Sequence, residues 1–148
     1  MASKILIVDD NILLTEILRR ILTAEGFAII TALDGQKGYS AFLLDRPDLI
    51  LTDIQMPGWN GLELMRQIRK QAPGAPVIFM SGDWVRLQAV VEGEEGKFCC
   101  GLLRKPFLMD ELMKLLSEFF ISGKKESLRE IAASRRTQSP PAQDGIPL

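Results

Sequence analysis

The chain has 148 residues, 47% of them hydrophobic and 25% charged, and a formal net charge of -1. That composition fits one globular domain with material for a core, and charges of both signs spread along it give no basic footprint for nucleic acid. No apolar run nears the ~20 residues that span a bilayer, and the N-terminal MASKILIV lacks the layout of a signal peptide, so a cytoplasmic protein with no membrane contact is expected.

Lys4 to Val8 (KILIV) is an apolar run without a polar face, the pattern of a strand buried on both sides, and it ends in the acid pair Asp9-Asp10. Asn11 is placed to cap a first helix with Leu14, Ile17, Leu18, Ile21 and Leu22 on one face, stopped by Glu25-Gly26. Phe27 to Ala32 reads as a second strand. Asp34-Gly35 opens a second helix with Ala41, Phe42 and Leu44 inward, closed by Arg46-Pro47. Leu49 to Thr52 forms a third strand that runs straight into Asp53. Met56-Pro57-Gly58 then breaks the chain, and Gly61 opens a third helix with Leu62, Met65 and Ile68 at helical spacing.

Pro76 to Met80 (PVIFM) is a fourth strand ending at Ser81. Gly82-Asp83 leads to a weakly patterned fourth helix carrying Val85, Leu87, Val90 and Val91 before Gly93 and Gly96. Gly101 to Leu103 is a short fifth strand, followed by Arg104-Lys105-Pro106. The fifth helix has the stripe Leu108, Leu112, Leu115, Leu116 and Phe119, with Met109, Met113 and Phe120 left over as exposed apolar residues. Strands alternating with helices through short loops argue for a parallel sheet covered on both faces across residues 1–121. From Ser122 the composition shifts to a charged and then proline-bearing stretch, so 122–148 is expected to be a tail, partly helical or disordered.

The chain has no histidine, which removes Ser-His-Asp and Cys-His nucleophile systems and the usual zinc sites. The adjacent Cys99 and Cys100 cannot readily bridge each other and read as small buried fillers. What remains are polar residues at strand ends: Asp9-Asp10, Asp53, Ser81 and Lys105. Each has a bland explanation as a cap, turn or solvated loop residue. Together, each after its own apolar strand, they meet at one sheet edge if the strands are neighbours. Carboxylates gathered there repel unless a cation neutralises them, and oxygen donors without histidine or thiolate suit Mg2+. A phosphoryl site follows, with Asp53 as a nucleophile forming an aspartyl phosphate and Mg2+, the Ser81 hydroxyl and the Lys105 ammonium each facing an outer oxygen.

The combination of Asp9-Asp10, Asp53 with Met56-Pro57 and Gly61 behind it, Ser81, and Lys105-Pro106-Phe107 resembles the receiver domain of two-component response regulators, over about residues 3–121. The resemblance implies a flavodoxin-like α/β fold, a doubly wound five-stranded parallel sheet in the order 2-1-3-4-5 with five helices. It implies Asp53 as phosphoacceptor, Mg2+ held by Asp10, Asp53 and the backbone carbonyl of Gln55 with Asp9 acting through a metal-bound water, Ser81 as the hydroxyl that moves toward the phosphoryl group, Lys105 as its ion-pair partner, and a cis Lys105-Pro106 bond. One position departs from the pattern. Leu102 stands three residues before the lysine, where the family usually has Tyr or Phe, so this chain lacks the aromatic ring of the usual readout there.

The expected protein is therefore a phosphorylatable switch rather than a stand-alone enzyme. A histidine kinase or phosphotransfer protein is the donor, and a downstream protein, or a second copy of the chain through helices 4 and 5, is the partner. The tail has no DNA-reading helix pair, so direct DNA binding is not expected. Two rivals stand beside this reading: a receiver-like scaffold that binds partners without cycling phosphate, which Leu102 favours, and an aspartyl-phosphate phosphatase. The second would need an acid two residues after the nucleophile, where this chain has Gln55.

Overall fold

The computed structural model describes residues 2–93 and 97–121, so the expected tail at 122–148 lies outside the described residues. Strands whose side chains are apolar on both faces can only be satisfied by cover on both sides, and that is the arrangement. β1 (Lys4–Val8), β2 (Ala28–Ala32), β3 (Leu49–Asp53), β4 (Val77–Ser81) and β5 (Cys99–Arg104) form one parallel sheet in the order β2-β1-β3-β4-β5. The helices α1 (Ile12–Ala24), α2 (Gly35–Asp45), α3 (Gly61–Gln71) and α4 (Trp84–Glu92) make the crossovers, and α5 (Met109–Ile121) follows the last strand.

Period-2 alternation along the strands splits the core into two layers. Ile5, Ile7, Leu49 and Leu51 face Leu18 and Leu22 of α1 and Leu112, Leu116 and Phe119 of α5. Leu6, Val8, Ile50 and Phe79 face Phe42 of α2, Leu64, Met65 and Ile68 of α3, and Leu87 and Val90 of α4. Each fully buried aliphatic contributes about 1.5–3 kcal/mol over its exposed state, before the entropy of ordering the chain. The helices begin where side-chain oxygens meet free backbone N–H groups: Asn11, Asp34, Asn60 and Asp83 each accept from the first turn.

Register fixes what happens at the carboxyl ends. Val8 pairs with Thr52, Asp53 with Met80 and Ser81 with Arg104, so the residues that leave β1, β3, β4 and β5 emerge along one rim. The Lys105 amide donates to the Ser81 carbonyl at 2.9 Å, and the Lys105-Pro106 bond is cis, as the resemblance implied.

Several expectations change in detail. Leu44 is 82% exposed, and Ile17 and Val85 also face solvent. Thr15 takes the buried place on α1, its hydroxyl satisfied by the Ile12 carbonyl at 2.9 Å. Leu108 precedes α5 and is exposed. Met109, Met113 and Phe120 are not free apolar surface: they pack on the α1/α5 layer, Phe120 with its ring 5.4 Å from Phe27 and 4.8 Å from Phe119. β5 begins earlier than the apolar run at Gly101, because a register shift between Val77 and Ile78 lets Cys99 join the sheet. That bulge puts Cys100 on the α5 side, and a Cβ at Gly101 would meet Leu115 of α5 at 2.7 Å. Both cysteines are buried and free of disulfides.

Candidate functional site

The rim created by the strand register collects acids. Carboxylate oxygens of Asp9, Asp10 and Asp53 lie within 4.8 Å of one another. Asp9 is fully buried and engaged on both oxygens: Oδ1 accepts the Asn11 amide at 2.9 Å, and Oδ2 accepts from Lys105 Nζ at 2.5 Å. Asp53 is held more loosely, with Oδ1 accepting the Gln55 amide and Oδ2 accepting from Lys105 Nζ, both at 3.2 Å. Asp10 is exposed. None of the three caps a helix; Asn11, Asn60 and Asp83 do that work, so the bland reading of the acids as caps does not apply.

Burial pushes the Asp53 carboxyl above its ordinary range, with the nearby Asp9 charge adding to the rise and the Lys105 ammonium only partly offsetting it. For Lys105, burial works against the charged form, but the hydrogen bond to Asp9 and the charges of Asp53 and Asp9 outweigh it and hold the ammonium above its usual value. One ammonium among these three carboxylates leaves negative charge uncompensated. Oxygens bound to one Mg2+ at about 2.1 Å lie up to about 4.2 Å apart. The acids gather oxygens within reach of one small cation, and their all-oxygen chemistry fits Mg2+.

Ser81 is buried, and its hydroxyl is turned to Gln55, donating to Oε1 at 3.3 Å while accepting the Asp83 amide at 3.0 Å. The rim thus brings Asp9, Asp10, Asp53 and Lys105 into direct contact range, with Ser81 joined to the group through Gln55. Leu102 is half-buried and packs on the layer containing Phe79, Leu87 and Val90.

Three features were not read from the sequence. Gly61 is required by closeness: a Cβ there would stand 2.3 Å from the Asp53 carbonyl oxygen. Thr52, fully buried, donates its hydroxyl to that same carbonyl at 3.0 Å. The Gln55 side chain also bonds Ser81, whereas the sequence offered Gln55 only as a backbone ligand and a residue flanking the site. Gly61, already visible as a helix start, was the one signal available.

The family profile of the response regulator receiver domain matches residues 5–117. The chain belongs to that family. The chain is 31% identical over 135 residues to the response regulator MprA of Mycobacterium bovis, covering 91% of this chain and 58% of that protein. It is 37% identical over 110 residues to the DNA-binding transcriptional regulator NtrC of Klebsiella pneumoniae, covering 74% and 23%. The chain therefore spans little more than half of the one relative and under a quarter of the other. Among solved structures, the receiver resembles the chemotaxis protein CheY4 of Vibrio cholerae, with a TM-score of 0.71 at 26% identity over 80% of this chain and 98% of that one. It also resembles the response regulator TrrA of Thermotoga maritima in complex with Mg2+ and BeF, with a TM-score of 0.68 at 30% identity over 78% and 97%. Receiver domains are phosphorylatable switches of two-component systems. No helix among the described residues is long and apolar enough to cross a membrane.

Proposed function

We propose that this receiver accepts a phosphoryl group on Asp53 from a histidine kinase or phosphotransfer protein in a Mg2+-dependent step and signals through a protein partner. The observation that carries this reading is the Asp9-Asp10-Asp53 oxygen cluster with Lys105 Nζ reaching both Asp9 and Asp53. An Asp53 carboxylate oxygen attacks phosphorus, the P–N bond of a phosphohistidine breaks, and the departing imidazole keeps the electron pair and takes a proton from water. Lys105 presents its ammonium to an outer phosphoryl oxygen, and the Ser81 hydroxyl donates to another. Asp10, Asp53 and the Gln55 backbone carbonyl would hold Mg2+, with Asp9 acting through water, and the bound ion would neutralise charge at the transferring group.

Ile12 and Leu13, exposed at the start of α1 just beyond Asp10, offer the donor an apolar surface beside the site. Output passes through the face of α4, where Trp84 and Val85 are exposed. The partner there is another protein or a second copy of this chain. With Leu102 in place of an aromatic, the readout runs through the α4 segment that begins at Asp83 rather than through a ring changing orientation.

Acetyl phosphate with Mg2+, followed by intact-mass measurement, tests the reading. One added phosphoryl group on the wild type and none on Asp53→Asn is the expected result. No labelling of either would favour a phosphate-independent scaffold.

A further inference from the structure

The proton of the buried Ser81 hydroxyl is already committed. It goes to Gln55 Oε1 at 3.3 Å, while the oxygen accepts from the Asp83 amide at 3.0 Å. A hydroxyl has one proton to donate, so a Ser81 bonded to Gln55 cannot at the same time donate to a phosphoryl oxygen on Asp53. Gln55 is tied to the acceptor as well, since its backbone N–H donates to Asp53 Oδ1 at 3.2 Å. One residue is therefore bonded both to the acceptor and to the hydroxyl that must assist it.

Gln55 is also free to let go. Its side chain is exposed and borders a cavity of about 360 Å³ lined by Ile54, Met56, Pro57, Asn60 and Arg86. An amide released from Ser81 can turn into that space and take water as its partner, at little cost to itself. The buried hydroxyl has no such freedom and needs an acceptor within the site.

We propose that the Gln55 side chain is a latch on the switch: it holds the Ser81 proton away from Asp53 at rest, and phosphorylation of Asp53 must break that bond. This rests on Asp53 being the phosphoacceptor. Gln55 is a positioning residue, acting on the reaction through Ser81. Removing its carbonyl leaves the Ser81 proton unpaired at rest and shifts the balance toward the state in which the hydroxyl meets a phosphoryl oxygen. The gain is the worth of one neutral hydrogen bond, about three- to tenfold.

The test uses the full chain as wild type, Gln55→Met, Ser81→Ala and the double variant. Methionine keeps the length of glutamine without its acceptor. Acetyl phosphate labelling in Mg2+ is followed by intact mass, and beryllofluoride binding is followed by 19F NMR as a readout independent of turnover. Gln55→Met should label about three- to tenfold faster and bind beryllofluoride more tightly by a similar factor. In the Ser81→Ala background the same substitution should change both by less than about twofold, because nothing is left to release. An equal gain in both backgrounds, or no gain with Ser81 present, overturns the latch while leaving Asp53 as acceptor. Equal labelling of wild type and Asp53→Asn removes the acceptor reading, and the latch with it.

Discussion

Lys105 and Asp9, 96 positions apart in the chain, meet with Nζ 2.5 Å from Oδ2, closer than Lys105 stands to Asp53. The lysine is thus anchored by a carboxylate that has no exposure, and it leans on the proposed nucleophile from that anchor. The arrangement lets the ammonium reach an incoming group at Asp53 without first surrendering its partner.

Breaking a buried pair from one side leaves an uncompensated charge, which costs far more than the net value of the pair. Lys105→Met should therefore destabilise the fold by about 3–5 kcal/mol in Mg2+-free urea unfolding. In an Asp9→Asn background, where the fully buried carboxylate is no longer orphaned and only the looser pair with Asp53 is lost, the same substitution should cost less. An equal cost in both backgrounds would separate Lys105 from Asp9 energetically.

Asp53 gives stability a pH dependence of definite sign. Its folded pKa is raised, chiefly by burial, so the folded state binds its proton more tightly than the unfolded state does. The stability associated with this group is fully present below the ordinary carboxylate pKa and is lost as pH rises through the raised value. At neutral pH the ionised Asp53 is a burden on the fold. Asp53→Asn should therefore be more stable than wild type at pH 7 without Mg2+, with the gap closing as the pH falls through the raised value towards the ordinary carboxylate pKa and fully closed below it. Urea midpoints measured across that range check it; a gap that widens on acidification would contradict the sign.

Gly61 ties the acid loop to α3. A methyl group there would press on the Asp53 carbonyl, so Gly61→Ala should lose about 1–3 kcal/mol by overpacking and weaken Mg2+ binding by displacing the acid. Gly82 has nothing within 4 Å of an added Cβ, and Gly82→Ala should stay within about 0.5 kcal/mol of wild type. Comparable losses in the two variants would show that the effect at Gly61 is not steric.

Mg2+ should stabilise the folded chain by mass action, about 2.7 kcal/mol at a hundred times its dissociation constant. Asp10→Ala should weaken that binding about tenfold or more in calorimetric titration. Because Asp10 adds a third negative charge beside Asp9 and Asp53, its loss should leave metal-free stability unchanged or raised. Unaltered Mg2+ affinity in Asp10→Ala would remove this acid from the ion's shell.

The sheet was legible because KILIV, LILT and VIFM admit only two-sided burial, and the acids, hydroxyl and lysine were legible because each follows such a run. Helix faces were less so. Periodicity marks a stripe on α1 but not which edge of it meets the sheet, and Thr15 won a buried place over Ile17 because its hydroxyl found the Ile12 carbonyl. The start of β5 was hidden by a bulge that places Cys100 and Gly101 on the same side and breaks alternation. Met113 and Phe120 looked exposed because their cover, Phe27 among others, comes from far along the chain. The Gln55–Ser81 bond joins side chains 26 residues apart, and no local pattern announces it.

The central claim is a covalent one, and locating the bond tests it most directly. Borohydride reduces an aspartyl phosphate to homoserine, so peptide mass mapping after acetyl phosphate and Mg2+ treatment reports the residue that was modified. Homoserine at position 53 in wild type, absent when Mg2+ is chelated, is the result expected here. Conversion at Asp9 or Asp10, or none at position 53 under saturating donor and Mg2+, would contradict it.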